Sequence, residues 1–321
     1  DHIMMDSLGD KIKSKIVASK VGVPIISGVE AAIESEEEAV KFAKLCGYPI
    51  MLKAAAGGGG RGMRIVREES ELLSQYRSAK SEALKAFGID DIFVEKYLES
   101  PKHIEVQILG DKSGHIVHLF ERDCSIQRRH QKVIEFTPAV CITEKQRQDI
   151  CADAIKIAKA VNYRSAGTVE FLLDKEGNHY FIEMNPRIQV EHTVTEMITG
   201  IDIVQSQILI AEGYELASER IGIKSQADVT KRGYAIQCRI TTEDPANGFA
   251  PDTGKIELYR SPAGFGIRLD GGNGFTGAVI SPYYDSLLVK ITSSARTFED
   301  TRNKALRALA ETKIKGVKTN I

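Results

Sequence analysis

The sequence has no excess of either charge, no paired-cysteine motif and no long apolar run, and each absence removes a class of function. With 43 basic and 44 acidic residues its net charge is −1, which leaves neither the electrostatic footprint of a nucleic-acid-binding protein nor a polybasic membrane patch. No apolar stretch approaches the ~20 residues that span a bilayer, and no signal-peptide pattern is present. Cys46, Cys124, Cys141, Cys151 and Cys238 are odd in number, widely spaced and free of CxxC pairs. That excludes a disulfide framework and a cysteine zinc site and fits thiols in a reducing, cytoplasmic compartment. Apart from one glycine run there is no low-complexity segment and no internal repeat. What remains is 321 residues, 42% of them hydrophobic, enough for two or three compact units.

The stretch Gly167 to Glu191, GTVEFLLDKEGNHYFIEMNPRIQVE, places acidic and polar groups by spacing alone. Two strand-like runs, Thr168 to Asp174 and His179 to Met184, flank the turn-forming Lys175-Glu176-Gly177-Asn178. Pairing Asp174 with His179 sets Glu170 directly across from Glu183. Two carboxylates on one sheet face, with Cβ atoms about 5 Å apart, repel unless a positive group lies between them. Mg²⁺, a hard cation that takes one or two carboxylates plus substrate phosphates, suits that place. In an extended chain Glu183, Asn185, Arg187, Gln189 and Glu191 share one face, with Met184, Pro186, Ile188 and Val190 on the other. This suits a substrate channel; an edge hairpin with a charged outer face is the competing reading.

A second feature favours the channel. In Pro49 to Val66, PIMLKAAAGGGGRGMRIV, an apolar strand runs into Gly57 to Gly60 and a second strand-like run follows. Glycines let backbone N–H groups approach an anion closely, so such loops cradle phosphates. Gly57, Gly59 and Gly62 formally spell GxGxxG, but the dinucleotide fingerprint opens a helix, whereas Met-Arg-Ile-Val reads as a strand. A Walker A loop is excluded because Met63 follows Gly62. A glycine hairpin closing over phosphates as a lid, with Lys53 at its base, fits better than a plain flexible linker.

Asp6 to Val21 reads as a helix. Ser35 caps a second, rich in Glu36, Glu37 and Glu38, that stops at Gly47. Ser70 to Phe87 is an amphipathic helix ended by Gly88, and Asp91 to Tyr97 a strand. Strands dominate from Glu99, with helices at Thr143 to Val161, opened by a Thr143/Gln146 capping box, and at Val194 to Glu212. From Tyr234 the pattern is a mainly antiparallel sheet followed by a helix, Phe298 to Glu311. His115, His118 and His179 read as sheet-surface residues, His192 as structural, and Arg128 and Arg129 as solvated or ion-paired.

Together these features resemble the ATP-grasp superfamily, and within it the biotin carboxylase domain of biotin-dependent carboxylases. The resemblance rests on Gly9-Asp10-Lys11, KAAAGGGGRGMR from Lys53, EKYLESPKHIEVQ from Glu95, ERDCSIQRRHQKVIE from Glu121 and FIEMNPRIQVEHTVTE from Phe181. QCRITTEDP from Gln237 and SPYYDSLLVK from Ser281 extend it almost to the C-terminus. The phrases TTEDP and GAVISPYYDSLLVK are more similar to the pyruvate-carboxylating branch than to the acyl-CoA branches. One departure is Pro186, where many relatives have Ser or Thr.

The resemblance implies an α+β, ATP-grasp fold: a helical entry segment (1–24), a glycine-rich lid domain (25–98), and a body with a mainly antiparallel β-sheet C-terminal domain (99–321), lacking the family's N-terminal domain. It implies carboxylation of biotin with ATP, Mg²⁺ (or Mn²⁺) and bicarbonate through carboxyphosphate. Lys11, Lys53 and Lys132 would face phosphates under a lid containing Gly58, Gly59 and Gly60. Glu170, Glu183 and Asn185 would hold the metal. Glu95, Lys96, Leu98, His103 and Gln127 would hold adenine and ribose, with His130 nearby. Arg187, Gln189, Val190 and Glu191 would form the bicarbonate pocket, with Glu191 as general base and Arg239 stabilising carboxyphosphate and the biotin enolate. Glu105 would support His103. Implied partners are a biotin carrier and a carboxyltransferase domain in an oligomeric intact enzyme, without nucleic acid or membrane. Two alternatives carry part of the pattern: a carbamoyl phosphate synthetase half, which lacks the RIQVEH, CRITTEDP and YYDSLLVK phrases together, and a nucleotide-binding fragment without turnover.

Overall fold

The computed structural model describes Met5, Leu8 and residues 11–28, 32–54 and 62–321. Within the described residues the helices and strands expected of the first third are present, beginning with α1 (Lys11–Lys20); Asp6, Ser7, Gly9 and Asp10 of the expected first helix lie outside them. Ser35 Oγ accepts the N–H of Glu38 and opens α2 (Glu36–Cys46), whose three leading glutamates lie at the positive end of the helix dipole. Strands β1 (Ile50–Ala54), β2 (Met63–Val66) and β3 (Ile92–Lys96) form an antiparallel sheet in the order β2-β1-β3. Helix α3 (Glu69–Phe87) joins β2 to β3 and ends at Gly88, whose φ of 74° favours glycine. Ile50, Leu52, Val66 and Val94 bury their side chains against Ala39, Ala43, Leu72 and Tyr76, giving this sheet its own core.

An eight-stranded sheet dominates the rest, with three two-stranded ladders beside it in the C-terminal part. Its strands are β4 (Lys102–Gly110), β5 (Ile116–Arg128), β6 (Gln131–Thr137), β7 (Ser165–Leu173), β8 (His179–Asn185), β9 (Tyr234–Thr241), β10 (Ile267–Gly271) and β11 (Leu287–Ala295). All neighbours are antiparallel, in the order β10-β11-β9-β6-β5-β4-β7-β8. Alternation along β4 explains its two faces: Ile104, Val106 and Ile108 join the core with α4 (Glu144–Ala160), while Glu105 and Gln107 are buried on the other side. The Thr143/Gln146 capping box is present. Helix α7 (Phe298–Glu311) packs on β9 and β11.

Several expectations are corrected. The single helix over 194–212 is two, α5 (His192–Thr199) and α6 (Ile203–Glu212), bent by 92°. Gly200, at φ 72°, caps the first, and Asp202 accepts Gln205 N–H to start the second, so stop and start signals override the continuous apolar pattern. The turn-proximal hairpin register is Leu173 opposite His179, one residue away from expectation; an irregularity between Glu170 and Phe171 then restores Glu170 opposite Glu183. His118 and His179 are half-buried rather than sheet-surface residues: His179 Nε2 lies 2.8 Å from Asp153 and its ring meets Phe171 edge-on. Burial, reinforced by Lys231, pushes the pKa of His118 down to about 4.

Candidate active site

Strand register sets one row of charge across the large sheet. Arg122 on β5 faces Glu105 on β4, which faces Glu170 on β7, which faces Glu183 on β8. Directly opposed residues share a face, and carboxylates in such a row repel. Lys132, near the start of β6, answers that repulsion. Its ammonium donates to Glu105 (2.5 Å), Glu170 (3.2 Å) and Glu191 (2.6 Å). Burial works against every charge here, but Lys132 and Arg122 bring the Glu105 carboxyl down to about 2. For Glu170, the His103 hydrogen bond and Lys132 likewise outweigh burial and hold it at about 2. The carboxylates in turn hold the Lys132 pKa above the ordinary lysine range despite burial.

The segment after β8 turns rather than continuing extended. Arg187 N–H donates to the Asn185 carbonyl (2.8 Å), a tight turn centred on Pro186, whose fixed φ suits that position. The single polar face therefore ends at Asn185. Arg187 is exposed, its guanidinium folded onto Asn185 Oδ1 (3.3 Å) and the Ile188 carbonyl (3.1 Å). Gln189 and Glu191 return to the buried side. Glu191, just ahead of α5, gives its second carboxylate oxygen to Arg239 Nη2 at 2.9 Å. Arg239 Nε donates to buried Glu135 (2.5 Å), and Lys290 Nζ holds the carbonyl of Val190 (3.1 Å).

One cavity of about 1180 Å³ lies between the two sheets. It is lined by Lys53, Glu95, Lys96, Leu98, His103, Gln127, His130, Lys132, Glu170, Glu183, Asn185, Arg187, Gln189, Val190, Glu191 and Arg239. Gly58, Gly59, Gly60 and the side chain of Lys11 lie outside the described residues. Glu95, expected at the nucleotide's adenosine end, pairs its carboxylate with Lys15 and Lys53. The Lys96 ammonium turns back to the carbonyls of Gly47 (2.9 Å) and Tyr48 (3.0 Å). His103 bridges Gln127 (3.1 Å) and Glu170 (2.6 Å), and Glu170 outweighs burial to raise its pKa. His130 sits with Arg129 in a two-residue hairpin tip, at φ 64° and 51°, as a type I′ turn requires. Arg128 beside it is ion-paired to Glu243 and stacked on Phe249.

Asn185 Nδ2 donates to both Glu170 (2.9 Å) and Glu183 (3.3 Å), so a polar group already sits between the paired carboxylates. Two carboxylates and a carboxamide are the donor types a hard divalent ion takes, so these residues fit Mg²⁺ once the Asn185 amide, here turned with its NH₂ toward the carboxylates and its oxygen toward Arg187, presents its oxygen instead. Two other clusters with metal-ligand spacing among the described residues, His103–Glu105–Glu170 and Glu105–Cys124–Glu191, both surround Lys132. Sequence reasoning missed Arg122, Lys15, Glu135 and Lys290. The signal for Arg122 was present, since it lies in the same phrase as Lys132, but only the β4–β5 register brings it opposite Glu105.

Residues 10–219 match the family model for the carbamoyl-phosphate synthase L chain, ATP binding domain. Residues 237–321 match that of the biotin carboxylase C-terminal domain. The biotin carboxylase domain of Hydrogenobacter thermophilus 2-oxoglutarate carboxylase, solved with MgADP, ADP and bicarbonate, superposes with a TM-score of 0.92 at 51% identity, covering 98% of this chain and 68% of that one. The chain belongs to the biotin carboxylase family. The second match separates it from a carbamoyl phosphate synthetase half. Among biotin carboxylases, the Campylobacter jejuni structure with a bound nucleotide has a TM-score of 0.92 at 47% identity, covering 98% of this chain and 69% of that one. Pyruvate carboxylase of Bacillus subtilis is 58% identical over 317 residues, 99% of this chain and 28% of the relative. The chain thus spans little more than a quarter of the curated relatives it matches. The α+β, ATP-grasp expectation holds. No single helix among the described residues is long and apolar enough to cross a membrane.

Proposed function

We propose that the chain performs ATP- and bicarbonate-dependent carboxylation of biotin, the first half-reaction of a pyruvate carboxylase. The observation that carries this reading is Glu191 held between Lys132 (2.6 Å) and Arg239 (2.9 Å) at one end of the cavity, with the Glu170–Glu183 pair alongside. Two cations fix the orientation of this carboxylate, and a general base has to be positioned before it can act. Glu191 takes the proton of bicarbonate as a bicarbonate oxygen attacks the γ-phosphorus of ATP; ADP leaves and carboxyphosphate forms. Lys53 and Lys132 stabilise charge on the transferring phosphoryl group, which such a transfer needs more than covalent help. Glu170, Glu183 and Asn185 would hold Mg²⁺ or Mn²⁺, which supplies neutralisation of phosphate charge. Carboxyphosphate releases CO₂ beside biotin, a base removes the N1′ proton, and Arg239 steadies the enolate that captures CO₂. Arg187 lines the cavity and would offer a planar oxyanion the guanidinium fork that grips it.

Residues 25–98 act as the lid and 99–321 as the body, joined to the entry segment 1–24. A carrier-borne biotin, a carboxyltransferase and an oligomeric, cytoplasmic enzyme complete the reading, supported by the similarity to pyruvate carboxylases. The test is Mg-ATP hydrolysis with bicarbonate, with and without free biotin, for the chain and its Glu191→Gln variant. Biotin-stimulated, bicarbonate-dependent phosphate release abolished by the substitution supports it. ATP binding without such release leaves a nucleotide-binding chain and sinks the catalytic reading.

A further inference from the structure

Arg122 is completely buried, and all of its N–H donors are used inside the protein. Nε donates to Glu105 Oε1 (2.5 Å); Nη1 donates to Gln107 (2.7 Å) and Thr195 (3.1 Å); Nη2 donates to Thr168 (3.2 Å) and Gln189 Oε1 (3.3 Å). It does not line the cavity. Two of its bonds nevertheless lead there. The other oxygen of Glu105 takes Lys132, and the amide nitrogen of Gln189 donates to Glu170 at 2.7 Å.

Burying a charge adds little to stability, because desolvation offsets the pairing, and an apolar side chain of similar volume often does as well. A buried guanidinium with every donor spent is better explained by what it holds in place. Glu105, Glu170 and Glu191 all draw on one ammonium, that of Lys132. Without Arg122, both oxygens of Glu105 compete for it and pull it back from Glu191.

We propose that Arg122 is a positioning residue for the phosphoryl-transfer step, fixing Lys132 against Glu191 through Glu105 and fixing Glu170 through Gln189. The inference rests on the biotin carboxylase reading above. Lysine at this position keeps the charge and loses the planar fork, so it cannot serve both arms.

The experiment compares the chain with Arg122→Lys, using Ile157→Val in the α4 core as a stability control. Arg122→Lys is expected to melt cooperatively and bind MgATP within about threefold of the parent by calorimetry, while kcat falls about a hundredfold, as misplacement near 1 Å does. KM for MgATP stays within about threefold of the parent, so the loss is confined to kcat. Ile157→Val lowers Tm and leaves kcat unchanged. A kcat within about threefold of the parent overturns the proposal. So does a parallel loss of Tm, MgATP affinity and kcat, which is what a purely structural residue gives. If the parent itself shows no turnover, the functional reading fails, and a crystal structure of Arg122→Lys decides the positioning claim. Lys132 still 2.6 Å from Glu191 refutes it, and separation of the two groups supports it.

Discussion

Lys132 Nζ lies 2.6 Å from Glu191, and the far oxygen of that same carboxylate meets Arg239 at 2.9 Å. Glu191→Gln keeps the shape but can accept from only one of the two cations, and it removes the base. Bicarbonate-dependent turnover is expected to fall by about 10² to 10⁴, with MgATP affinity unchanged. Phosphate release and calorimetry measure the two separately; an equal loss in both would assign Glu191 to binding.

Glu183 and Glu170 face each other with the Asn185 amide between them. Glu183→Gln removes one anionic oxygen donor from that set. The Mg²⁺ concentration for half-maximal hydrolysis is expected to rise about tenfold or more, with kcat at saturating metal much less affected. Metal titration at fixed ATP checks this, and an unchanged curve would place the ion elsewhere.

Burial pushes the Glu135 carboxyl up to about 7, although Arg239 pulls it the other way. A group whose folded pKa lies above its ordinary value of 4.5 lends stability that is complete below 4.5 and lost as pH rises through about 7. Glu135→Gln abolishes that loss, so the Tm of the variant relative to the parent is expected to rise between pH 5.5 and 8 (about these values bracket the step). Glu105 and Glu170, held at about 2, act in the opposite sense, losing stability only as pH falls from 4.5 toward 2. The two effects therefore separate in a series of melts, and parallel curves for parent and variant above pH ~5 would contradict the assignment.

Much of the site was legible because it is carried by local spacing. The Glu170–Glu183 pairing needed only a turn and two strand-like runs, and it survived a one-residue error at the turn because the ladder irregularity beside Phe171 compensates. Glu191 and Arg239 came from phrases of the family resemblance, and the structure brings them together across β9 and the start of α5. What stayed hidden depends on long-range register. Arg122 meets Glu105 only through β4–β5 pairing, and Lys15 meets Glu95 only once α1 reaches the small sheet. The break at Gly200 was visible as glycine followed by Asp202, but the apolar residues on either side masked it.

Gly167 on β7 lies under the ring of Tyr163, where an added Cβ would come within 2.4 Å of the phenol oxygen. Tyr163 is itself buried and donates to the Ala166 carbonyl (2.8 Å). Gly167→Ala is expected to cost about 1–3 kcal/mol, as overpacking does, and to lower the urea midpoint without changing its slope. A midpoint equal to the parent's would mean that the tyrosine moves aside freely.

The paired carboxylates that would hold the ion sit on unequal footing. Glu170 belongs to β7, hydrogen-bonded to strands on both sides, whereas Glu183 belongs to β8, the last strand of the sheet. Amide exchange is therefore expected to be slow along the first and faster along the second. An ion shared between them would have one ligand on an interior strand and one on a marginal strand, whose outer edge is tied at Phe181 by its N–H to the Pro24 carbonyl (2.8 Å).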